Sequence, residues 1–479
     1  MTSLQRTFLI IMFLLGGFSY LYADGTLRHI TGDIDDTDRI NLVFVAEAYT
    51  RNEEQKFSDT VESITKKMFS TPFYREYAEF FNVWQIFVPS NESGTTIGSK
   101  TSDKDTYFKS ALSGNVYRFN QSKVYELVSE HIPDYDQIIL LVNDKYYGGC
   151  SYGTIVVLTA NIDQAKKIIL HELGHGFANL ADEYDFEYSI EATEMRNVTA
   201  ETERELIRWK DWILPETPLP TPEKVNLAEY DSVIGIYEGA MYKATGWYRP
   251  KEYCMMQSTT FPFCEICIEA HAVQLYSMIS PVKRKSPDDS VLNDPADTTV
   301  FSVATRTPHP NTQTIDWLLD GKKVHSGSQL SLKELSPASN SFRISAIVSD
   351  TTPLVRNPFI LDIPAEAGNV LNDTITWQIN HGTDISKHIS RLPVAGTLSA
   401  CIAKGRLTVN GLQNSARPFE IAIFTPEGKS VFSKKLIFPQ QAMSSVSFPL
   451  TNISNGLYII KLYDEYSSIH HTIEVLCTK

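Results

Sequence analysis

Apolar positions follow two rhythms along this chain, and the change between them divides it. In the first half, apolar runs of strand length alternate with segments whose apolar residues return every three to four positions. Arg39 to Ala48 (RINLVFVAEA) reads as a buried strand, with further strands at Phe81 to Pro89, Gln137 to Asn143 and Gly153 to Asn161. Between them Phe57, Val61, Ile64 and Met68 line one helical face behind a capping box at Thr50 and Glu53, and this helix ends before Pro72. Ser122 to His131 is a short helix stopped by Pro133. Ile169, Leu173, Phe177 and Leu180 mark the buried face of a helix inside Lys167 to Asp185 (KIILHELGHGFANLADEYD). Strands alternating with helices argue for an α/β sheet covered by helices. The YYGGC stretch at 146–150 reads as a turn, and the strand at 153–161 as an edge where an extended peptide adds itself as one more strand.

Beyond Lys283 the rhythm shortens to small strands separated by turns, with Asp320-Gly321 a hairpin signal. Residues 283–296 are charged and polar and read as a linker. Residues 297–381 then form an immunoglobulin-like β-sandwich and 392–479 a C-terminal β-sandwich. At the other end Arg6, the apolar run Phe8 to Leu15 and the small residue Ala23 compose a signal peptide over 1–23, which leaves 24–282 as the first domain. That apolar run is too short to span a bilayer, so no stable membrane span is expected after its removal. Export, to the medium or the cell surface, is the expected destination.

The net charge of -14 and the lack of a basic patch exclude a nucleic-acid partner. Export permits disulfides among Cys150, Cys254, Cys264, Cys267, Cys401 and Cys477. Cys264 and Cys267 form C-x-x-C, compatible with a zinc or a redox site. With Cys254 nearby and no evident fourth ligand, a structural disulfide network is the expectation. Cys401 and Cys477 bracket the last module and are placed to close it.

The candidate chemistry lies in the Lys167–Asp185 segment, which contains His171, Glu172 and His175 as H-E-x-x-H. One helical turn separates the two imidazoles, so both reach one zinc ion at about 2.0–2.1 Å, while Glu172 is left to act on water. The pattern that would put a third ligand six residues after His175 is broken by Ala178 and Ala181. Asn179 tolerates a left-handed backbone and can turn the chain to bring Asp182 to the metal, with Glu183 next in line and Glu191 or Glu194 behind. His271 reads as a hydrogen-bonded or solvated helix residue, Met255 and Met256 as core fillers.

Over residues 38–280 these stretches resemble the secreted bacterial zinc metallopeptidases of the immunoglobulin-A-peptidase family, in the metzincin clan. The resemblance is carried by EAYT, FFNVWQIFVPSNESG, DYDQIILLVNDKYYGG, HELGHGFANLADEY, YEGAMYKATGWYRPKEYCMM and FCEIC. It implies a metzincin-like α+β catalytic domain, zinc held by His171, His175 and Asp182, Glu172 as catalytic base, and Met256 as the methionine beneath the metal. The chain departs from the family at Ala178 and Glu47, both commonly glycine. Tyr248 and Arg249 are candidates to hold the oxyanion or substrate. FEIAIFTPEGKSVFSKKL and NGLYIIKLYD in the last module are similar to the C-terminal sorting domain of the type IX secretion system. The expectation is therefore a secreted zinc endopeptidase that hydrolyses protein or peptide substrates with water bound to one Zn2+ ion and activated by Glu172. The alternative is a surface binding or adhesion protein with a vestigial metal site.

Overall fold

The computed structural model of the protein describes residues 25–381, apart from 161, 189–190, 223–232 and 359–368, together with strands between 399 and 478. The signal-peptide reading of 1–23 lies outside the described residues. The chain divides into two compact units, Met1–Thr383 and Asp384–Lys479, each taken by itself below.

The first part of unit one orders strands β1 (Thr26–Thr31), β2 (Ile40–Glu47), β3 (Phe81–Phe87), β4 (Thr96–Ile97), β5 (Ala111–Ser113), β6 (Val116–Arg118), β7 (Gln137–Val142), β8 (Gly149–Tyr152) and β9 (Ile155–Thr159). Helices α1 (Glu54–Met68), α2 (Pro72–Glu76), α3 (Gln121–His131) and α4 (Ile162–Gly176) lie between and after them. The main sheet runs β1-β3-β2-β7-β9-β8, and β4 to β6 form a small separate sheet. Strands β3, β2, β7 and β9 are parallel, while β1 and β8 close the two edges antiparallel.

Every residue of β2 is buried, because both faces of the sheet are covered. Leu42, Phe44 and Ala46 pack with Phe57 and Val61 of α1 and Ile169 and Leu173 of α4 on one side. Val43 and Val45 pack with Val124, Leu127 and Val128 of α3 on the other. This is the period-two alternation of a strand read against two apolar layers. Glu47 is a buried polar residue at the end of β2, and it accepts the Phe108 and Ser110 amides at 2.9 Å each. At the start of the helix that follows, the Thr50 amide donates to Glu53 Oε2 at 2.9 Å.

The edge of the sheet is not where the apolar pattern put it. The strand expected at the rim, 153–161, is the inner strand β9, and the rim is β8, in the stretch read as a turn. The cause is a tight hairpin: Tyr152 pairs with Ile155, and Gly153 between them takes φ +67°. A four-residue strand that begins on a glycine carries too little apolar signal to be seen.

Farther on come the hairpin β10 (Tyr237–Ala240) and β11 (Lys243–Arg249) and helix α5 (Glu265–Met278). They are followed by β12 (Val282–Ser286), β13 (Val291–Asn293), β14 (Val300–Thr305), β15 (Gln313–Leu319), β16 (Lys322–Ser326), β17 (Gln329–Ser331), β18 (Ser341–Asp350) and β19 (Asn372–Asn380). Two sheets, β12-β14-β17 and β13-β19-β18-β15-β16, enclose one core of Phe301, Trp317, Ile344 and Trp377. The Asp320-Gly321 hairpin forms as its sequence predicts, with both residues at positive φ.

Residues 283–296 are not a spacer. They supply β12 to one sheet and β13 to the other, pairing with β14 and β19. Nor is this β part loose against the first: buried Arg306 binds the Asp36 carboxylate, and Tyr77 and Tyr276 both donate to Asp350 Oδ2, at 2.8 and 2.7 Å. A polar composition marked the stretch as a linker, whereas its backbone hydrogen bonds make it sheet.

Unit two contains β20 (Ser399–Ala403), β21 (Arg406–Asn410), β22 (Phe419–Phe424), β23 (Ser430–Leu436), β24 (Ser445–Pro449), β25 (Gly456–Asp464) and β26 (His470–Thr478). They form one sheet in the order β23-β22-β25-β26-β20-β21-β24. Cys401 and Cys477 lie on the neighbouring strands β20 and β26, and their side chains lie outside the described residues.

Candidate metal centre

Helix α4 presents His171 and His175 one turn apart, with their Nε2 atoms 3.2 Å from each other. Each ring is anchored by its other nitrogen: His171 Nδ1 lies 2.9 Å from the Met255 carbonyl oxygen and His175 Nδ1 lies 2.7 Å from that of Leu180. The helix ends at Gly176, and Asn179 at φ +52° reverses the chain there. Ala181 is then clamped by the Asn197 side chain through its amide (2.8 Å) and its carbonyl (2.9 Å). Asp182 Oδ1 consequently arrives 3.1 Å from His171 Nε2 and 3.2 Å from His175 Nε2.

A carbonyl oxygen opposite Nδ1 fixes the hydrogen there, so both Nε2 atoms present lone pairs. Asp182 Oδ1 is buried and has no hydrogen-bond donor. Three electron-pair donors thus converge on one point, an arrangement that repels itself unless a cation sits among them. Bonds of about 2.0–2.1 Å on a tetrahedron put donor atoms about 3.3–3.4 Å apart, close to the observed sides. Two imidazoles and a carboxylate fit a zinc-class ion. Burial alone would lower the pKa of His175, but the Asp182 carboxylate outweighs it and raises it to about 9. Burial likewise opposes the charge on Asp182, and the two imidazoles hold it well below the usual carboxylate range. A proton and a cation therefore compete for this cluster.

The surroundings of the cluster are built from the β10-β11 hairpin and the 254–256 segment. The hairpin loop is Met241 and Tyr242, both at positive φ (52° and 59°), a cost of roughly 1–2 kcal/mol per residue for side chains of this kind. The loop is pinned by bonds from Met241 N to Asp182 O (3.0 Å) and from Tyr242 N to Tyr184 O (2.9 Å). The strain brings the Tyr242 hydroxyl to Asp182 Oδ2, which orients the carboxylate. Met256 is fully buried under α4, and a Cβ built on Gly174 would lie 2.6 Å from its Sδ. Any side chain at 174 would have to displace the buried Met256 thioether. Glu172 stands apart from the three converging donors, and burial pushes its carboxyl up against the pull of His171 and His175. A Cβ on Gly149 of β8 would lie 2.8 Å from Glu172 Oε1, so the edge strand passes directly over this carboxyl.

Comparison with known proteins adds the decisive observation. The family model described as IgA Peptidase M64 matches residues 29–229 and 224–274, more than half of the chain and all of the site just described. The chain belongs to the IgA peptidase M64 family. M64 peptidases are metallopeptidases, in keeping with the donor cluster. No curated protein matches the chain. Among solved structures, the BSP domain of a biofilm associated protein is 13% identical over 40% of this chain and 28% of its own, with a TM-score of 0.15. The β-glucuronidase of Parabacteroides merdae is 10% identical over 49% of this chain and 29% of its own (TM-score 0.16), and β-glucuronidase 3 of Bacteroides uniformis gives the same figures. The chain spans less than a third of the length of those structures, and the likeness carries no weight for this M64 chain.

Of the residues singled out from sequence, His171, His175 and Asp182 are brought together, with Glu172 and Met256 beside them. Tyr248 and Arg249 are not: Tyr248 exchanges backbone bonds with Thr199, and the buried Arg249 guanidinium donates to the Glu238 carbonyl at 2.8 Å and to that of Gly239. Their position shortly before C-M-M reflects strand β11 and its packing. Glu194 bonds the Ala200 amide and Arg208 instead. His271 is buried, its pKa pushed down to about 4 by burial, with Nδ1 2.7 Å from the Cys267 carbonyl oxygen. Tyr242, Tyr184 and Tyr147 also border the cluster, Tyr242 through its hydroxyl on Asp182 and Tyr184 by stacking on His171. Burial first, then the charges of Glu172 and Asp182, hold the Tyr147 phenol above its usual pKa. Tyrosines scattered through loops have no spacing that sequence can read. The expected disulfides are absent among the described residues: Cys150, Cys254, Cys264 and Cys267 are free thiols. Glu183, the second choice as third ligand, turns away from the histidines and lies against Cys267.

Proposed function

We propose that this protein is a secreted zinc-dependent endopeptidase with a metzincin-like catalytic domain over 24–282. The observation that carries the reading is the convergence of His171 Nε2, His175 Nε2 and Asp182 Oδ1, with both Nδ1 atoms tied to carbonyl oxygens and Asp182 Oδ1 lacking a donor. The bound ion supplies Lewis acidity that brings the pKa of a water from about 15.7 toward ~7. Glu172 takes the proton from the attacking water and returns it to the leaving amine nitrogen. Its burial supports that work, since burial raises the carboxyl pKa against the pull of His171 and His175 and so strengthens Glu172 as a base. An extended substrate lies along β8, the rim strand of the main sheet, beyond the Gly149 amide that already bonds the Asn115 carbonyl, and backbone pairing there carries the scissile bond past Glu172. Tyr242 acts as a positioning residue through Asp182.

Export rests on the signal-peptide pattern of residues 1–23, and the module 392–479 acts as the sorting domain that completes it. The β sheets between 282 and 380 extend the catalytic unit. The test is Glu172→Gln in the chain from Asp24 onward, assayed with zinc content against a peptide library. The variant keeps one zinc on the histidine pair and loses cleavage by roughly two to four orders of magnitude. Cleavage at the wild-type rate by the variant, or cleavage that survives full removal of metal, overturns the reading.

A further inference from the structure

A second cluster of metal-ligating groups lies outside the histidine pair. Cys254, Cys264, Cys267 and Glu183 are at most 3% exposed, and their ligand atoms all fall within 4.8 Å of one another. Cys254 Sγ lies 3.5 Å and Cys264 Sγ 3.6 Å from Cys267 Sγ, which in turn is 3.7 Å from Glu183 Oε1. Zinc–sulfur bonds of about 2.3 Å directed to the corners of a tetrahedron put neighbouring sulfurs about 3.8 Å apart. A disulfide needs about 2.05 Å and would leave the third thiol stranded in the core. A redox C-x-x-C needs an accessible thiolate, and here both sulfurs are buried.

We infer that Cys254, Cys264, Cys267 and Glu183 hold a second, structural zinc ion. Glu183 is the fourth ligand that the cysteine spacing alone does not reveal. Its Oε2 is buried with no hydrogen-bond partner, while Oε1 accepts from Asn197 Nδ2 at 2.9 Å. Four anionic ligands around one dication leave excess negative charge, and the surroundings offset it. Cys264 is the N-cap of α5 and Cys267 lies in its first turn, where the helix dipole favours anions. The Cys264 amide donates to Cys254 Sγ at 3.4 Å, and the Arg249 guanidinium exerts an attractive charge on Glu183. All four ligands are protein groups and the site is closed to solvent, as structural rather than catalytic zinc sites are.

The position explains what the ion does. Glu183 follows Asp182 directly, and its amide donates to the Met256 carbonyl at 2.9 Å. Cys254 opens the segment whose Met255 carbonyl anchors His171 and whose Met256 fills the space under Gly174. One ion would therefore staple the Asp182 strand, the methionine segment and the start of α5 beneath the histidine pair.

The test counts metal and thiols in the full chain. Two zinc ions per wild-type chain are expected by elemental mass spectrometry, one in Asp182→Ala and one in Cys267→Ser, with Glu183→Gln binding the second ion more weakly than wild type. Cobalt-loaded wild type should show a thiolate-to-cobalt charge-transfer band that persists in Asp182→Ala and vanishes in Cys267→Ser. In case Cys267→Ser fails to fold, the wild type alone decides: three thiols should become reactive together, in step with release of one zinc to a chelator. A disulfide among the three cysteines, free thiols reactive in the metal-loaded protein, or no charge-transfer band overturns the inference. Because Asp182→Ala touches only the histidine cluster, failure of that site is read separately.

Discussion

Gly149→Ala isolates the contact between the edge strand and the base. A Cβ at this position would lie 2.4 Å from Ile168 Cγ2 and 2.8 Å from Glu172 Oε1, where about 3.5–4.0 Å is comfortable. Ile168 is β-branched and held in a helix, so its χ1 does not yield. The relief, about 1 Å, must come from the Glu172 carboxyl and from β8, which pairs with β9 in the main sheet and is otherwise held by the Gly149 amide on the Asn115 carbonyl (3.2 Å) and by side-chain bonds to the Tyr117 carbonyl. Displacement of a catalytic group by about 1 Å costs roughly 10²-fold in rate, or about 2.7 kcal/mol of transition-state stabilisation. Overpacking destabilises by about 1–3 kcal/mol, and the loss of glycine's unfolded-state freedom returns about 0.4–1 kcal/mol, so the fold survives. The three converging donors are untouched, and zinc content should stay at the wild-type level. Kinetics on a peptide identified from the library, measured beside zinc content and a thermal melt, separate the two effects. Wild-type kcat/KM in the variant would refute the argument, because it would mean that Glu172 need not occupy the position that Gly149 leaves free.

Tyr242→Phe removes the hydroxyl on Asp182 Oδ2 and should weaken metal binding about 10–100-fold in competition with a chelator, with the fold intact. Arg306→Ala removes the fully buried partner of Asp36, leaving Arg39 and the more distant, exposed Lys283, and should cost about 3–5 kcal/mol in urea unfolding. Asp136 is half-buried, and burial pushes its pKa up to about 6 against the 2.7 Å bond from the Asn41 amide. Because the folded value exceeds the unfolded value of about 3.9, this group stabilises the fold most below pH ~4, and that contribution is lost as pH rises through about 6. Melting temperatures across this window should show the fall in wild type and lose it in Asp136→Asn.

Much of the site could be read in the chain because it is local. The spacing of His171 and His175 is one helical turn, and a helix imposes that geometry wherever its apolar face is buried. Asn179 is likewise a local property: its tolerance of positive φ is enough to turn the chain toward Asp182. The buried strands β2 and β7 announced themselves by continuous apolar runs, since a strand covered on both faces has no reason to alternate.

What only the tertiary structure decided depends on contacts between segments far apart in sequence. Whether β8 or β9 stands at the edge is settled by a hairpin of small residues, too short for a periodic signal. Whether 283–296 is linker or sheet depends on partners in β14 and β19, which composition does not encode. The division of labour between Asp182 and Glu183 is the clearest case. Adjacent residues on an extended segment point to opposite sides, so one reaches the histidines and the other the cysteines only because the 254–256 segment and α5 pack beneath them. That packing is held by burial of Met256, Ile266 and Cys267 in the shared core, an energy that no local window of sequence contains.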